Sequence, residues 1–324
     1  MSTTTPEQAA WFAQTFSKLV GNVEQAVVGK THPVRLALTC LVAQGHLLLE
    51  DVPGTGKTSL AKAIANTVQG KPSRIQFTPD LLPSDVTGVT IFDQRSGRFE
   101  FHEGPIFATI VLADEINRAS PKTQSALLEV MEESRVTVDG VAHPVGTPFM
   151  VIATMNPIEQ AGTYRLPEAQ LDRFLMKTSL GHPDHETVVR LLVDSAVRDR
   201  SAAVRPLITP TAVADMSAIA AGVATDQAVL AYVARLAEEL RRLPQVRLGP
   251  SMRGCLAHVR CAKAWAAAQG RHFVVPDDIK DLATPVLTHR VLLDPEAEFE
   301  GTTVESVLQQ VLADVRPPAD RVGV

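Results

Sequence analysis

The sequence predicts an α/β fold: a parallel five-stranded sheet with helices on both faces, followed by a smaller all-helical domain. Three observations carry this. Five short apolar runs, at about 47–50, 74–78, 109–113, 149–153 and 174–178, are mostly separated by helical patterns. That alternation belongs to a parallel sheet covered on both faces. A glycine-containing loop, Asp51-Val52-Pro53-Gly54-Thr55-Gly56-Lys57-Thr58, joins the first run to a helical pattern opening on Lys57. From about residue 182 onward only helical patterns remain. The expected division is a core over 1–181 and a helical domain over 182–324.

Taken in order, residues 7–20 read as a helix that buries Trp11, Phe12, Phe16, Leu19 and Val20. Val27-Val28-Gly29-Lys30 makes a turn before a second helix over 33–43. Two hairpins interrupt the alternation. One lies near 90–101, around Arg95-Ser96-Gly97; the other lies near 135–145, where Asp139-Gly140 favours a type I′ turn. Later helices are expected over 184–198, 210–221, 226–242, 251–268 and 276–284. Thr209-Pro210 suits a helix cap and first position, and Pro276-Asp277-Asp278 opens a helix with acids in its first turn.

Composition bounds the class. The 324 residues suffice for about two domains, and 45% hydrophobic with 21% charged residues is ordinary for a globular chain. The net charge of −5 and the lack of a basic stripe argue against nonspecific duplex binding. No leader pattern and no membrane-length apolar stretch is seen, and Cys40, Cys255 and Cys261 lack Cys-x-x-Cys spacing. Reduced thiols and a cytoplasmic location are the expectation. His182 and His185 flank Asp184 but read as a helix start after Pro183 rather than a metal pair.

The loop at 51–58 has the setting that a phosphate-binding loop needs, a buried strand before it and a helix after it. Backbone N–H groups around Thr55 to Thr58 can form one concave nest, and the helix adds its positive end. Lys57 would reach the β- and γ-phosphates and Thr58 would hold Mg²⁺, so ATP with magnesium is the expected ligand. The strict pattern has glycine where this chain has Asp51, a departure read as a local variation.

The third apolar run ends in Asp114-Glu115. Beside the phosphate loop, Asp114 could hold the metal and Glu115 could face the water that attacks the γ-phosphate. Asn156 ends the fourth run in the same way. It could orient that water, or simply make an Asn-Pro turn with Pro157.

Asp114-Glu115-Ile116-Asn117-Arg118-Ala119-Ser120-Pro121 and its continuation to Glu133 closely resemble the MoxR family of AAA+ ATPases. So do Ala153-Thr154-Met155-Asn156-Pro157 and the stretch from Arg165 to Leu171-Asp172-Arg173-Phe174. The match runs in order from about residue 20 to beyond 290. The resemblance implies an AAA+ core with a helical lid. It places Gly54, Thr55, Gly56, Lys57, Thr58 and Ser59 in Walker A, and Asp114 and Glu115 in Walker B. Asn156 matches sensor 1, Arg173 the arginine finger offered to the next subunit, and Arg253 sensor 2. Val28-Gly29 resembles the segment beside the base. Arg165 is a rival for the finger, and Arg118 and Lys122 are given no chemistry.

The function implied is a Mg²⁺-dependent, ring-forming ATPase, expected as a hexamer, that remodels client proteins in assembly or metal-cofactor insertion. A separate protein with a von Willebrand factor A domain is the implied partner; Asp215-Met216-Ser217-Ala218-Ile219 fails the metal motif that such a domain would carry. Two alternatives stand beside it: a nucleotide-dependent scaffold with slow turnover, and a nucleic-acid or chelatase-type motor.

Overall fold

A computed structural model of the chain describes residues 3–156, 163–193 and 199–318. The elements run α1 (Pro6–Glu24), α2 (Thr31–Val42), β1 (Leu47–Glu50), α3 (Lys57–Thr67), β2 (Pro72–Gln76), α4 (Pro83–Thr87), β3 (Gly88–Asp93), β4 (Arg98–Glu103) and β5 (Ile110–Asp114). They continue with α5 (Pro121–Glu133), β6 (Arg135–Val138), β7 (Val141–Pro144), β8 (Met150–Met155), α6 (Glu168–Leu171), β9 (Met176–Thr178) and α7 (His185–Val193). The remainder is α8 (Pro210–Gly222), α9 (Gln227–Arg242), β10 (Val246–Leu248), α10 (Met252–Ala268), α11 (Pro276–Leu287), β11 (Leu292–Leu293), α12 (Pro295–Phe299) and α13 (Val304–Asp314). The helix expected over 184–198 is α7; residues 194–198 lie outside the described ones.

Two compact units are present. One holds Lys18–Phe174 and Thr178–Asp215; the other holds the residues up to Ser17, Leu175–Lys177 and those from Met216 onward. In the first, the strands order β2-β5-β8-β1, and β2–β5, β5–β8 and β1–β8 pair in parallel. β5 is buried along its whole length, and β1 and β8 each leave only their last residue partly exposed. That is why they read as unbroken apolar runs rather than alternating ones. Leu48, Val111, Val151, Leu127, Leu128 and Phe174 join one core between the sheet and α5. His46 pins three elements together at the start of β1. Its Nδ1 accepts from Val151 N and its Nε2 faces Met131 O, each at 3.0 Å. Accepting at Nδ1 makes Nε2 the donor.

β3–β4 and β6–β7 form separate antiparallel hairpins. Asp139 and Gly140 both have positive φ, as a type I′ turn requires. One helix differs from expectation at a single residue. Phe12, Phe16, Leu19 and Val20 of α1 are buried, but Trp11 is 43% exposed. At 100° per residue Trp11 stands a quarter turn or more off the face that the others share.

In the second unit, α10 packs on α11 through buried His258, whose Nε2 donates to Ile279 O at 2.7 Å. Burial holds that imidazole neutral, pulling its pKa from 6.5 to about 4. The unfolded chain takes up the proton below its own pKa, so the folded state loses stability as pH falls from about 6.5 to about 4. The loss approaches about 3 kcal/mol. The stability gap between wild type and His258→Asn should therefore shrink by about 2–3 kcal/mol between about pH 7 and about pH 4.5, measured by denaturant unfolding. A gap independent of pH would refute this. The helices α12 and α13 were not expected. Thr303 caps α13 by accepting from Ser306 N at 3.1 Å. No described helix is long and apolar enough to cross a membrane.

Candidate nucleotide site

The carboxyl ends of β1, β5 and β8 lie side by side, because Glu50 pairs with Met155 and Ala113 with Ala153 in parallel register. Ligands of open parallel sheets gather at such an edge. It brings together the loop after Glu50, Asp114-Glu115, and Asn156 one residue beyond β8.

Gly54 and Gly56 have φ of +86° and +98°, a left-handed backbone that a residue with a Cβ adopts only under strain. Gly56 caps α3, and Lys57, Thr58 and Ser59 form its first turn. The N–H groups of that turn have no intrahelical acceptor, so with the helix dipole they suit phosphate oxygens. Thr55 is buried, and its hydroxyl donates to Val52 O at 3.4 Å. Lys57 Nζ donates to Asp51 O at 3.0 Å and Val52 O at 3.4 Å. Val27 Cγ1 lies 3.8 Å from where a Cβ on Gly56 would stand, which sets the Val28-Gly29 turn beside the loop.

Asp51 is more than a local variation. It is only 5% exposed, and its carboxylate accepts from Leu180 N at 2.5 Å and Gly181 N at 3.0 Å.

The two acids at the end of β5 are held differently. Asp114 Oδ1 accepts from Thr154 Oγ1 at 2.7 Å, and Oδ2 pairs with Arg74 Nη2 at 2.7 Å. Glu115 leaves the strand with φ of +57°, a sparsely populated region for a residue with a side chain. Its N–H donates to Thr154 Oγ1 at 2.9 Å, and Oε2 accepts from Gln76 Nε2 at 3.0 Å and Arg118 Nη1 at 2.9 Å. The two carboxylates thus have different direct partners, Arg74 for one and Gln76 with Arg118 for the other, and the two sets are linked because Arg74 Nη2 also donates to Gln76 Oε1 at 3.1 Å. From the sequence, Arg74, Gln76 and Thr154 were not singled out as partners of the acids, and Arg118 was named but given no chemistry. Gln76 opposes Asp114 only through the β2–β5 register, which no local pattern reveals.

The donor set fits magnesium nucleotide. A carboxylate and a threonine hydroxyl are the hard oxygen ligands that Mg²⁺ takes, and a lysine beside positive-φ glycines is a phosphate setting. Asn156 is buried at the same edge; Pro157 lies outside the described residues. Among the described residues, no contact seen joins Arg173 to that edge. Its Nη2 pairs with Glu132 at 3.2 Å, and its Nε is buried without a hydrogen-bond partner among the described residues. Glu132 lies twelve residues beyond Ser120 on α5, about 18 Å along the helix from Ser120. Arg165 is exposed. Arg253 belongs to the second unit, on the exposed first turn of α10, where Ser251 Oγ accepts from Gly254 N at 3.1 Å. His182-Pro183-Asp184-His185 is a helix start as expected, for Asp184 accepts from Thr187 N at 2.7 Å.

Known proteins bear on this arrangement. A family model for ATPases associated with various cellular activities matches residues 46–176, and one for the AAA lid domain matches 238–311. The fold and its phosphate loop therefore define an AAA+ ATPase, an enzyme that hydrolyses ATP. The uncharacterized protein YeaC of Bacillus subtilis is 45% identical over 95% of this chain and 96% of its own length. Chaperone MoxR1 of Mycobacterium tuberculosis is 38% identical over 94% of this chain and 82% of its own. The crystal structure of a candidate ATPase from Cytophaga hutchinsonii superposes with a TM-score of 0.89 at 35% identity, covering 97% of this chain and 98% of that one. The chain belongs to the MoxR family of AAA+ ATPases.

Proposed function

We propose that the protein is a Mg²⁺-dependent, ring-forming ATPase that uses turnover to remodel partner proteins. The loop from Gly54 to Ser59 holds the phosphates, with Val28-Gly29 toward the base. Lys57 neutralises the terminal phosphates, and Thr58 and Asp114 hold the metal. Magnesium, when bound, draws charge from the β- and γ-phosphate oxygens. Glu115 takes the proton of the attacking water, Asn156 orients that water, and Arg253 is the proposed sensor 2. Arg173 serves the neighbouring subunit's nucleotide. Phosphoryl transfer spreads charge over the γ-oxygens, where a guanidinium is most effective. The supporting observation is the pairing of Arg173 with Glu132 at the far end of α5, away from this chain's own acids. An arginine used in trans makes hydrolysis depend on a closed ring, for which a hexamer is proposed.

Partner remodelling is proposed from kinship with a chaperone, and a separate von Willebrand factor A domain protein is the proposed companion. A second reading draws on the same site. Both acids sit in ion pairs, Asp114 with Arg74 and Glu115 with Arg118. If these persist with nucleotide bound, turnover is slow and the ring acts as a nucleotide-dependent scaffold.

Lys57→Ala tests the site. Losing a charge-assisted contact to the phosphates should weaken ATP binding about a hundredfold or more, with the fold retained by circular dichroism. Wild-type affinity in a folded variant would defeat the assignment. ATP should also shift the wild type, and not the variant, to a larger species in size-exclusion chromatography.

A further inference from the structure

Asp51 ties the phosphate loop to the segment that follows β9. We infer that it is a positioning residue which passes nucleotide occupancy to that segment; this rests on the nucleotide reading above. Four polar bonds meet at this one residue. Its N–H donates to Met155 O at 3.1 Å, at the end of β8. Its carbonyl accepts from Lys57 Nζ at 3.0 Å. Its carboxylate accepts from Leu180 N at 2.5 Å and Gly181 N at 3.0 Å. Bonds from backbone N–H groups to a carboxylate are of the strong, charge-assisted kind, and burial limits competition from water. Glycine at this position, as in the strict loop pattern, would keep the first two bonds and lose the last two.

Neighbouring residues extend the tie. Lys30 Nζ donates to His182 O at 2.7 Å. Thr187 Oγ1 lies 2.8 Å from where a Cβ on Gly29 would stand, so the turn beside Gly56 packs directly on the start of α7. Residues 180–187 are thus held both by the phosphate loop and by the turn that flanks it. From there the chain runs on through Asp215 to the second unit.

The coupling follows from shared donors and shared order. A phosphate that takes Lys57 competes with the carbonyls of Asp51 and Val52 and fixes the loop around itself. The carboxylate can hold two successive amides only while the Asp51 backbone is fixed. A ligand that orders residue 51 therefore makes opening at Leu180 and Gly181 rarer.

Hydrogen exchange at the Leu180 and Gly181 amides of the full chain, with and without ADP, tests this beside calorimetry of ADP binding. In the wild type ADP should slow exchange at both amides by about tenfold. In Asp51→Gly the same amides should exchange about ten- to a hundredfold faster, and ADP should bind without slowing them. Asp51→Asn, with one acceptor oxygen left, should fall between. Steady-state turnover of Asp51→Gly should show kcat down about tenfold with KM moved by less than about threefold. Binding of ADP without any change at these amides, or wild-type exchange in Asp51→Gly, would overturn the coupling while leaving the nucleotide site intact. A wild-type protein that binds no ADP would overturn both.

Discussion

Glu115→Gln is expected to lower the single-turnover rate of ATP hydrolysis by about a thousandfold while leaving ATP affinity within a few-fold of wild type. The amide matches the carboxylate in shape but cannot take a proton from water. The setting of Glu115 makes the substitution clean. Its backbone is fixed by Thr154 Oγ1, and its side chain is met by Gln76 and Arg118, so the variant side chain can still accept from both. Asp114 keeps its own partners, Arg74 and Thr154, and with them its proposed place at the metal. A rate within about tenfold of wild type would remove Glu115 from the base role. If both proteins were equally slow while ATP still drove assembly, the scaffold reading would prevail. Purified with ATP, the stalled variant should retain ring and client together.

Arg173→Ala is expected to bind ATP normally and hydrolyse it about a thousandfold more slowly or worse, the scale on which an arginine finger acts. The decisive measurement is mixing. Arg173→Ala subunits keep Glu115, and Glu115→Gln subunits keep Arg173, so a ring holding both contains some interfaces with one intact copy of each. Partial recovery of activity is expected, and none should occur in either variant alone. No recovery in rings shown to be mixed would count against action in trans. Arg165→Ala is the matched control, because Arg165 is exposed and close in sequence. Should it lose activity in place of Arg173→Ala, the finger passes to Arg165.

Much of the fold could be read in advance because its central strands are covered on both faces. β1, β5 and β8 stand out as apolar runs, and the residues at or just past their ends are the loop, Asp114-Glu115 and Asn156. What surrounds the acids could not be read. Arg74 and Gln76 reach Asp114 and Glu115 through the β2–β5 register, some forty residues apart in sequence. Asp51 looked like a flaw in a motif because its partners, Leu180 and Gly181, lie 129 and 130 residues away. α13 could have been found: Thr303 precedes Val304, Val307, Leu308 and Val311, which fall on one helical face. The β10–β11 pair could not, since two strands of three and two residues carry too little pattern.

The Thr154 hydroxyl has a mechanical consequence. It donates to Asp114 Oδ1 and accepts from the Glu115 N–H, so one oxygen atom on β8 touches both neighbours at the end of β5. One hydroxyl therefore holds the Asp114 carboxylate and the Glu115 backbone at once. A movement that carries β8 against β5 acts on the Asp114 carboxylate and the Glu115 backbone together. Outer partners link the acids a second time, because Arg74 Nη2 donates to both Asp114 Oδ2 and Gln76 Oε1, and Gln76 Nε2 donates to Glu115 Oε2.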